Sequence, residues 1–433
     1  MKQISMINRQ EKHKKVFFIF LTVIMLGVFI FLLVFFIKAV KYRKHYENTR
    51  THYRIFPNWN KIVEEDPIEV VSQFRDNDKK TGVVRGEWSL KGKVKPLFDK
   101  INGSLHGASK ATPAVDESGI YVGSDAGWFY KLDHKGNLIW KIYLAKTEQG
   151  VHGTALLSKK YLWIGAYNGV LYCLKKQTGE VVWTIHLGDA IGSSPSFYKG
   201  QIIISVELLF PSYMGYVASV SARDGTLNWK MPLTSAHIHS SVAIHKEKGY
   251  GVTGANNNYL FKIDLNSGKI LWALQMKGDI KSTPLIYKDR IYVTNWGPQF
   301  AAISEEGKIL WSKDIKSASQ SSPTLVPDKE LLIFGTHRKG QLFSVSAKDG
   351  SILWEKPIDN DRAMASGVSF FSKRYKKYLF LFPCETTAIC LIEPSNGNIL
   401  QKIHTGFLLT GSFTDFKNRF YMGFNDGGIS VLY

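Results

Sequence analysis

A glycine followed four residues later by a tryptophan recurs along most of the chain, and this repeat constrains the fold more than any other feature. Six copies end at Trp140, Trp183, Trp229, Trp272, Trp311 and Trp354. A seventh copy keeps Gly397 but has Gln401 in place of the tryptophan, and successive copies are 39 to 47 residues apart. Each copy follows two alternating apolar runs and, before them, a small-residue segment such as KATPAV or GSSPSF. A unit of this length with four short strands and three turns is typical of a propeller blade.

The glycine and the tryptophan have separate expected roles, and the chain ends set the number of blades. The glycine supplies the positive φ of the hairpin between the third and fourth strands, and the tryptophan packs its large ring into the neighbouring blade. Residues 402–433 suffice for three strands of a last blade, and GVVRGEW or KVKPLF near residues 82–98 should supply its missing outer strand. We therefore predict an all-β, eight-bladed β-propeller over residues 82–433, with seven blades as the alternative, because ring closure removes exposed sheet edges.

The repeat resembles that of the pyrroloquinoline quinone (PQQ) propellers, the quinoprotein-like family, since it pairs the Gly-x-x-x-Trp ending with small-Ser-Pro inner segments. No Trp-Asp dipeptide points to a WD40 array. The family's dehydrogenases typically carry adjacent cysteines beneath the quinone, calcium-binding Glu and Asn, and an aspartate base. Here Cys173, Cys384 and Cys390 are not adjacent, and the inner segments show no acidic residues. The resemblance therefore implies a non-catalytic scaffold or protein-binding member without a cofactor, with a PQQ- and calcium-dependent oxidoreductase as the alternative.

Residues 16–37 are 22 consecutive residues without a charge, which predicts a transmembrane helix behind a short basic tail, residues 1–15. A cleaved signal peptide is disfavoured because the apolar run is long and no small-residue cleavage site follows. Five basic residues precede the helix and six follow it closely, so charge leaves the orientation open. We expect a cytoplasmic N-terminus and an extracytoplasmic propeller, periplasmic in a Gram-negative cell. Residues 38–81 are polar and predict a linker with a short helix near 67–75.

The charge balance and the cysteines narrow the function classes further. Lys and Arg number 56 against 36 Asp and Glu, a net charge of +20, and the basic clusters flank the membrane segment. No basic stripe interleaved with aromatic residues occurs elsewhere, so the sequence does not predict nucleic-acid binding. Cys384 and Cys390 are expected on neighbouring strands of the seventh blade, where an oxidising compartment permits a disulfide that cross-strand geometry restricts.

Aligning the starts of the inner strands predicts a set of polar residues around one mouth of the central channel: Lys110, His152, His239, Lys281 and Gln320. A convergent basic ring suits an anionic ligand through charge-assisted hydrogen bonds, whereas the alternative is a polar mouth filled with water. The histidines lie on different blades without an evident third ligand, so no metal site is predicted. No nucleophile elbow, phosphate-binding loop or zinc-protease motif occurs, and no catalytic residues are predicted.

The third blade carries an insertion, ELLFPSYMGY, after Val206. Five of its side chains are more apolar than a solvated loop needs: Leu208, Leu209, Phe210, Tyr213 and Met214. Exposed apolar clusters often mark partner surfaces, so we expect an envelope protein to contact this loop. The alternative is that the loop folds back over its own blade.

Overall fold

The computed structural model describes residues 22, 25–27, 30, 33, 61–98, 111–145, 150–208, 214–233, 237–337, 340–359, 365–406, 408–424 and 428–433. The chain divides into two compact units, Met1–Asn58 and Trp59–Tyr433. In the first unit, residues 22, 25–27, 30 and 33 are helical, and the rest of the predicted transmembrane helix, 16–37, lies outside the described residues. Over the described part of the chain, we find no helix that combines the length and the apolarity needed to cross a bilayer.

The second unit is an all-β, eight-bladed propeller, which confirms the predicted fold. Three strands precede the blades: β1 (Val70–Ser72), β2 (Val83–Trp88) and β3 (Val94–Phe98). Blades one to four, each from its inner strand outward, are β4 (Ala114–Asp116), β5 (Gly119–Gly123), β6 (Trp128–Leu132), β7 (Leu138–Tyr143); β8 (Leu156–Ser158), β9 (Tyr161–Gly165), β10 (Val170–Lys175), β11 (Val181–His186); β12 (Ser196–Tyr198), β13 (Gln201–Leu208), β14 (Met214–Ser221), β15 (Leu227–Leu233); and β16 (Ala243–His245), β17 (Tyr250–Gly254), β18 (Tyr259–Asp264), β19 (Ile270–Gln275).

Blades five to eight complete the ring in the same way. They are β20 (Leu285–Tyr287), β21 (Arg290–Thr294), β22 (Gln299–Ser304), β23 (Ile309–Asp314); β24 (Thr324–Val326), β25 (Leu331–Gly335), β26 (Gln341–Ser346), β27 (Ile352–Pro357); β28 (Val368–Ser372), β29 (Lys377–Glu385), β30 (Ala388–Ile392), β31 (Ile399–His404); and β32 (Leu409–Phe416), β33 (Arg419–Phe424), β34 (Ile429–Leu432) with β3 outermost. The strand containing KVKPLF therefore closes the ring, pairing Val94 with Leu432 in antiparallel register.

An N-terminal strap, residues 61–88, runs along the inner edges of the blades. Its strand β1 pairs antiparallel with β8, and β2 pairs parallel with β28. Between them, four strap carbonyls accept hydrogen bonds from the inner strands of blades four to seven: Asp78 from Ile244, Lys79 from Ile286, Thr81 from Leu325 and Gly82 from Ser369. The strap thereby joins blades that are far apart in sequence.

The strap corrects two predictions for residues 38–81. The helix near 67–75 is wrong, because β1 lies within that range as an extended strand. Ile68 and Val70 alternate with period two and pack against the core between blades two and three, while the backbone gains partners on β8. Residues 61–81 are also part of the propeller unit rather than of a polar linker.

A belt of hydroxyl groups links the inner segments of neighbouring blades. In each link, the hydroxyl oxygen of one blade accepts the backbone N–H of the blade before it, at 2.8 to 3.3 Å. The links run from Thr154 to Ser194, Ser241, Thr283, Ser322, Ser366, Ser412 and Thr112. The small-Ser-Pro segments of the repeat supply this belt, because a buried N–H without a partner is costly.

The repeat tryptophans pack onto the glycine of the next blade. Trp183, on β11 of blade two, lies against Gly225 in the last turn of blade three, and its indole N–H donates to the Ala222 carbonyl at 3.3 Å. The same glycine contact recurs for the other five tryptophans, namely Trp140 with Gly179, Trp229 with Gly268, Trp272 with Gly307, Trp311 with Gly350 and Trp354 with Gly397. One motif therefore provides both halves of every such blade contact.

Cys384 and Cys390 form a disulfide with a Cα separation of 5.6 Å. They lie on β29 and β30, as expected, and the ladder between these strands shifts register between Phe382 and Glu385. The shift brings together two cysteines that a regular ladder would not place opposite each other. Cys173 is a buried free thiol.

Candidate functional site at the channel mouth

A polar cavity of 310 Å³ occupies the channel at the end where the inner segments begin, which we call the channel mouth. Its walls carry one hydroxyl of the belt from each blade, and Phe74 of the strap also lines it. Such a volume is at the lower end of ligand sites, which span roughly 300 to 1,000 Å³. The mouth can therefore hold a small group.

The structure brings together four of the five residues predicted for this mouth. His152, His239, Lys281 and Gln320 all line the cavity, whereas Lys110 lies outside the described residues. The Lys281 ammonium lies 3.9 Å from the centre of the Trp296 ring. The predicted convergence is therefore present among the described residues, but the histidines have acidic neighbours that change its charge.

The first acidic neighbour is Asp125, which follows β5. Its Oδ1 lies 2.7 Å from His152 Nε2, and both side chains are buried. The ring of Tyr167 packs on His152, with 4.4 Å between the ring centroids. Burial, together with the negative charges of Glu207 and Asp125, raises the pKa of Tyr167 well above its ordinary value, so its hydroxyl stays protonated.

The second acidic neighbour is Glu207, near the end of β13. Its Oε2 lies 3.4 Å from His237 Nδ1, and its Oε1 lies 3.2 Å from His239 Nδ1. Burial opposes ionisation of this carboxyl, but the two imidazoles outweigh it and lower its pKa to about 2. Two carboxylates therefore lie among the basic groups predicted for the mouth and offset their charge, and anion binding there stays a prediction.

Sequence reasoning missed Asp125 and Glu207 because neither belongs to the inner segments that were aligned. Both lie at the end of a blade's second strand, which returns to the channel mouth. A signal was present for Glu207, since it is a charged residue in the buried strand QIIISVEL, and buried glutamates are rare without a partner.

Two strap side chains are buried against the propeller close to Phe74. The Lys80 ammonium donates to the Phe74 carbonyl at 3.1 Å and to Gln73 Oε1 at 3.2 Å, and Arg75 donates to the Pro323 carbonyl at 2.7 Å. Burial lowers the pKa of Lys80 to about 8. The strap thus buries cationic side chains against the propeller. The free energy of unfolding of the propeller depends on pH as a result.

The residues at the mouth do not fit PQQ, the cofactor of the family's dehydrogenases. PQQ is a tricarboxylate, and Asp125 and Glu207 already occupy the imidazoles of His152 and His239. Lys281 also lines the mouth, and its ammonium lies over the Trp296 ring, so the two carboxylates offset much of the positive charge that three carboxylates of PQQ would need. The chain also lacks the adjacent cysteines that support the quinone.

Comparison with known proteins shows the family to which the chain belongs. A family model described as "Outer membrane protein assembly factor BamB" matches residues 126–207 and 213–373, more than half of the chain. The chain belongs to this family of PQQ-type propellers. Within it, BamB from Moranella endobia is 24% identical over 253 residues, which cover 55% of this chain and 62% of that protein.

Two solved structures show the same fold at low sequence identity. BamB from Moraxella catarrhalis superposes with a TM-score of 0.60 and 17% identity, covering 78% of this chain and 97% of that one. A europium-containing methanol dehydrogenase gives a TM-score of 0.68 and 11% identity, covering 84% and 90%. The fold is therefore shared by an outer membrane protein assembly factor and a dehydrogenase, so the residues at the site must decide between the two kinds of function.

Proposed function

We propose that this chain is a non-catalytic scaffold of the cell envelope that binds a protein partner through the loops on the mouth side of its propeller. Membership of the BamB family supports this function, since that family is described by its part in outer membrane protein assembly. The residues at the mouth fit a quinone cofactor poorly, which also supports a non-catalytic function. A propeller suits the role because a rigid ring carries loops that vary freely on each face.

The observation that carries the proposal is the long hairpin of blade three. Strands β13 and β14 have eight residues each, whereas their counterparts in blades four to six have five or six. Leu208 and Met214 pair at the end of this hairpin nearest the channel mouth. The two strands of blade three therefore reach further on this side than the corresponding strands of blades four to six. The proposed contact residues Leu209, Phe210 and Tyr213 belong to the connecting segment, which lies outside the described residues.

The test is in-cell crosslinking followed by purification of the full chain. The double variant Phe210→Ser with Tyr213→Ser should lose at least about 90% of the crosslinked envelope partner, because aromatic residues dominate the energy of interfaces. The matched control is Ile270→Ser with Leu271→Ser, which removes two exposed apolar side chains from the outer strand β19. Equal partner recovery from both variants and the unaltered chain would contradict the proposed contact.

The alternative functions, a PQQ-dependent oxidoreductase or a binder of a small anion, are tested by calorimetry. We expect no saturable heat when PQQ, with or without Ca²⁺, is titrated into the folded chain. Micromolar binding that weakens in Lys281→Met would instead assign the mouth to an anionic ligand and overturn the scaffold proposal.

We further propose that residues 16–37 anchor the chain as a single-pass helix, with a cytoplasmic N-terminus and the propeller outside the cytoplasm. The disulfide between Cys384 and Cys390 supports the second part, since structural disulfides persist in oxidising compartments. Protease added to spheroplasts should digest the propeller while a tag at the N-terminus stays protected. Release of the whole chain by alkaline carbonate would contradict the anchor.

A further inference from the structure

Glu207, His237 and His239 form a compact group beside the channel mouth. Glu207 lies near the end of β13, and the two histidines lie on the connection from β15 to β16, which joins blades three and four. His237 and His239 are two positions apart in the chain, and their ring centroids are 6.2 Å apart. Each residue offers one ligand atom to the group, and these three atoms lie within 4.8 Å of one another.

The distances within the group are longer than strong hydrogen bonds and are close to the separation of ligand atoms around a metal ion. His237 Nδ1 lies 3.4 Å from Glu207 Oε2, and His239 Nδ1 lies 3.2 Å from the other carboxylate oxygen, Oε1. Charge-assisted N–H···O bonds are shorter, about 2.7 to 2.9 Å. In contrast, a tetrahedral zinc ion with bonds of about 2.0 to 2.1 Å holds its ligand atoms roughly 3.3 to 3.4 Å apart.

The carboxylate of Glu207 is buried and held in place by its backbone. Its side chain is only 2% exposed, and its Oε1 has His239 Nδ1 as an ion-pair partner at 3.2 Å but no well-aligned hydrogen bond from the described residues. The Glu207 N–H donates to the Ala190 carbonyl at 2.9 Å, and the Glu207 carbonyl accepts the Ala190 N–H at 3.1 Å. A buried carboxylate oxygen without a hydrogen bond is expensive unless something else satisfies it.

The surroundings leave room for an ion and a path to reach it. His239 is 34% exposed and lines the cavity, so the group opens toward solvent on one side. On the other side, a Cβ at Gly192 would lie 3.1 Å from Glu207 Oε1 and 2.6 Å from the Tyr167 hydroxyl. The glycine therefore keeps space beside the carboxylate that any other residue would fill.

We propose that Glu207, His237 and His239 bind a Zn²⁺ ion, with the fourth coordination position open toward the channel mouth. Two imidazole nitrogens and one carboxylate oxygen are a ligand set that zinc favours, whereas Ca²⁺ and Mg²⁺ prefer oxygen ligands alone. Both histidines bind through Nδ1 and carry their proton on Nε2. The ion ties the long hairpin of blade three to the start of blade four, and this site does not depend on the scaffold function.

The experiment is equilibrium dialysis and calorimetry of Zn²⁺ with the full chain, purified without a polyhistidine tag and treated with chelator. We expect one ion per chain, a higher thermal midpoint with the ion, and the visible absorption of tetrahedral Co²⁺ when cobalt replaces zinc. The variants Glu207→Gln and His239→Ala should each weaken binding about 100-fold or more, because changes to residues that only contact ligands already cost 10- to 100-fold.

The matched control is Asp289→Asn in a second compact His and carboxylate group among the described residues, formed by His245, Asp289 and Glu305. There Lys248 already neutralises both carboxylates, at 2.8 and 2.7 Å, and the variant should bind Zn²⁺ as the unaltered chain does. Two outcomes overturn the proposal: no stoichiometric binding by the unaltered chain, or binding that survives in both Glu207→Gln and His239→Ala. Circular dichroism of the metal-free variants verifies that they are folded. We expect Glu207→Gln to fold because glutamine has the shape of glutamate.

Discussion

The contact between Trp183 and Gly225 allows two costs of replacing a glycine to be measured separately. One is the cost of a left-handed backbone conformation, and the other is the cost of overpacking against the indole. Gly225 has a φ of +76°, and a Cβ there would lie 2.8 Å from the Trp183 ring. In Gly225→Ala, the left-handed backbone conformation costs roughly 1 to 2 kcal/mol. Overpacking against a fully buried indole adds about 1 to 3 kcal/mol. The free energy of unfolding should therefore fall by about 2 to 5 kcal/mol.

The matched control lies in the same blade. Gly200 has a φ of +78°, and a Cβ there would meet no atom within 4 Å. Gly200→Ala should therefore show the backbone cost alone, roughly 1 to 2 kcal/mol. Urea unfolding of the full chain, followed by tryptophan fluorescence, measures both variants. In a Trp183→Leu background, which frees space, the cost of Gly225→Ala should approach that of Gly200→Ala.

Equal losses of stability in Gly225→Ala and Gly200→Ala would refute this reasoning. The repeated glycine would then be needed only for its positive φ. The tryptophan that follows it four residues later would recur for another reason. A penalty for Gly225→Ala that persists unchanged beside Trp183→Leu would refute it as well.

Three further predictions follow from the disulfide, the strap and the hydroxyl belt. The denatured, unreduced chain should show one thiol to Ellman's reagent, because Cys384 and Cys390 are paired; three thiols would contradict the disulfide. With a folded-state pKa of about 8 for Lys80, the folded chain binds fewer protons than the unfolded chain above that pH. The free energy of unfolding should therefore rise by about 2 kcal/mol between about pH 7 and pH 9.5, and Lys80→Met should lack this part of the rise. Ser241→Ala removes the acceptor of the buried Ser194 N–H and should lower the urea midpoint by the equivalent of about 1 to 3 kcal/mol, whereas Ser241→Thr should restore it.

The blades were predictable because each one is encoded locally. Gly136 and Trp140 lie four residues apart, and the same short pattern returns in each unit with its turn and outer strand. The closing strand was predictable for a different reason. Once the last blade lacked a strand, ring closure required Val94–Phe98 or its neighbour to supply it.

The strap was not predictable, since its partners are distant in sequence. Ile68, Val71 and Phe74 have helical spacing, yet the segment is extended because its backbone bonds to inner strands of other blades. Arg75 reaches Pro323, 248 positions away. The local spacing of apolar residues does not indicate such long-range contacts.

The channel mouth was half predictable for a related reason. Alignment of the inner segments located His152 and Lys281, because those segments repeat. Glu207 belongs to one blade alone, and its meeting with His237 across 30 positions depends on how the third blade turns into the fourth. A site formed by residues that occur in only one blade cannot be predicted from the repeat.

The pairing of β3 with β34 sets the order in which this protein can mature. Val94 is among the first propeller residues to leave the ribosome, and Leu432 is among the last. Until Leu432 emerges, β3 is a strand without its partner and seven blades form an open arc with exposed edges, which other chains can pair with. A chain that lacks β34 therefore remains an open arc, and its β3 remains without a partner.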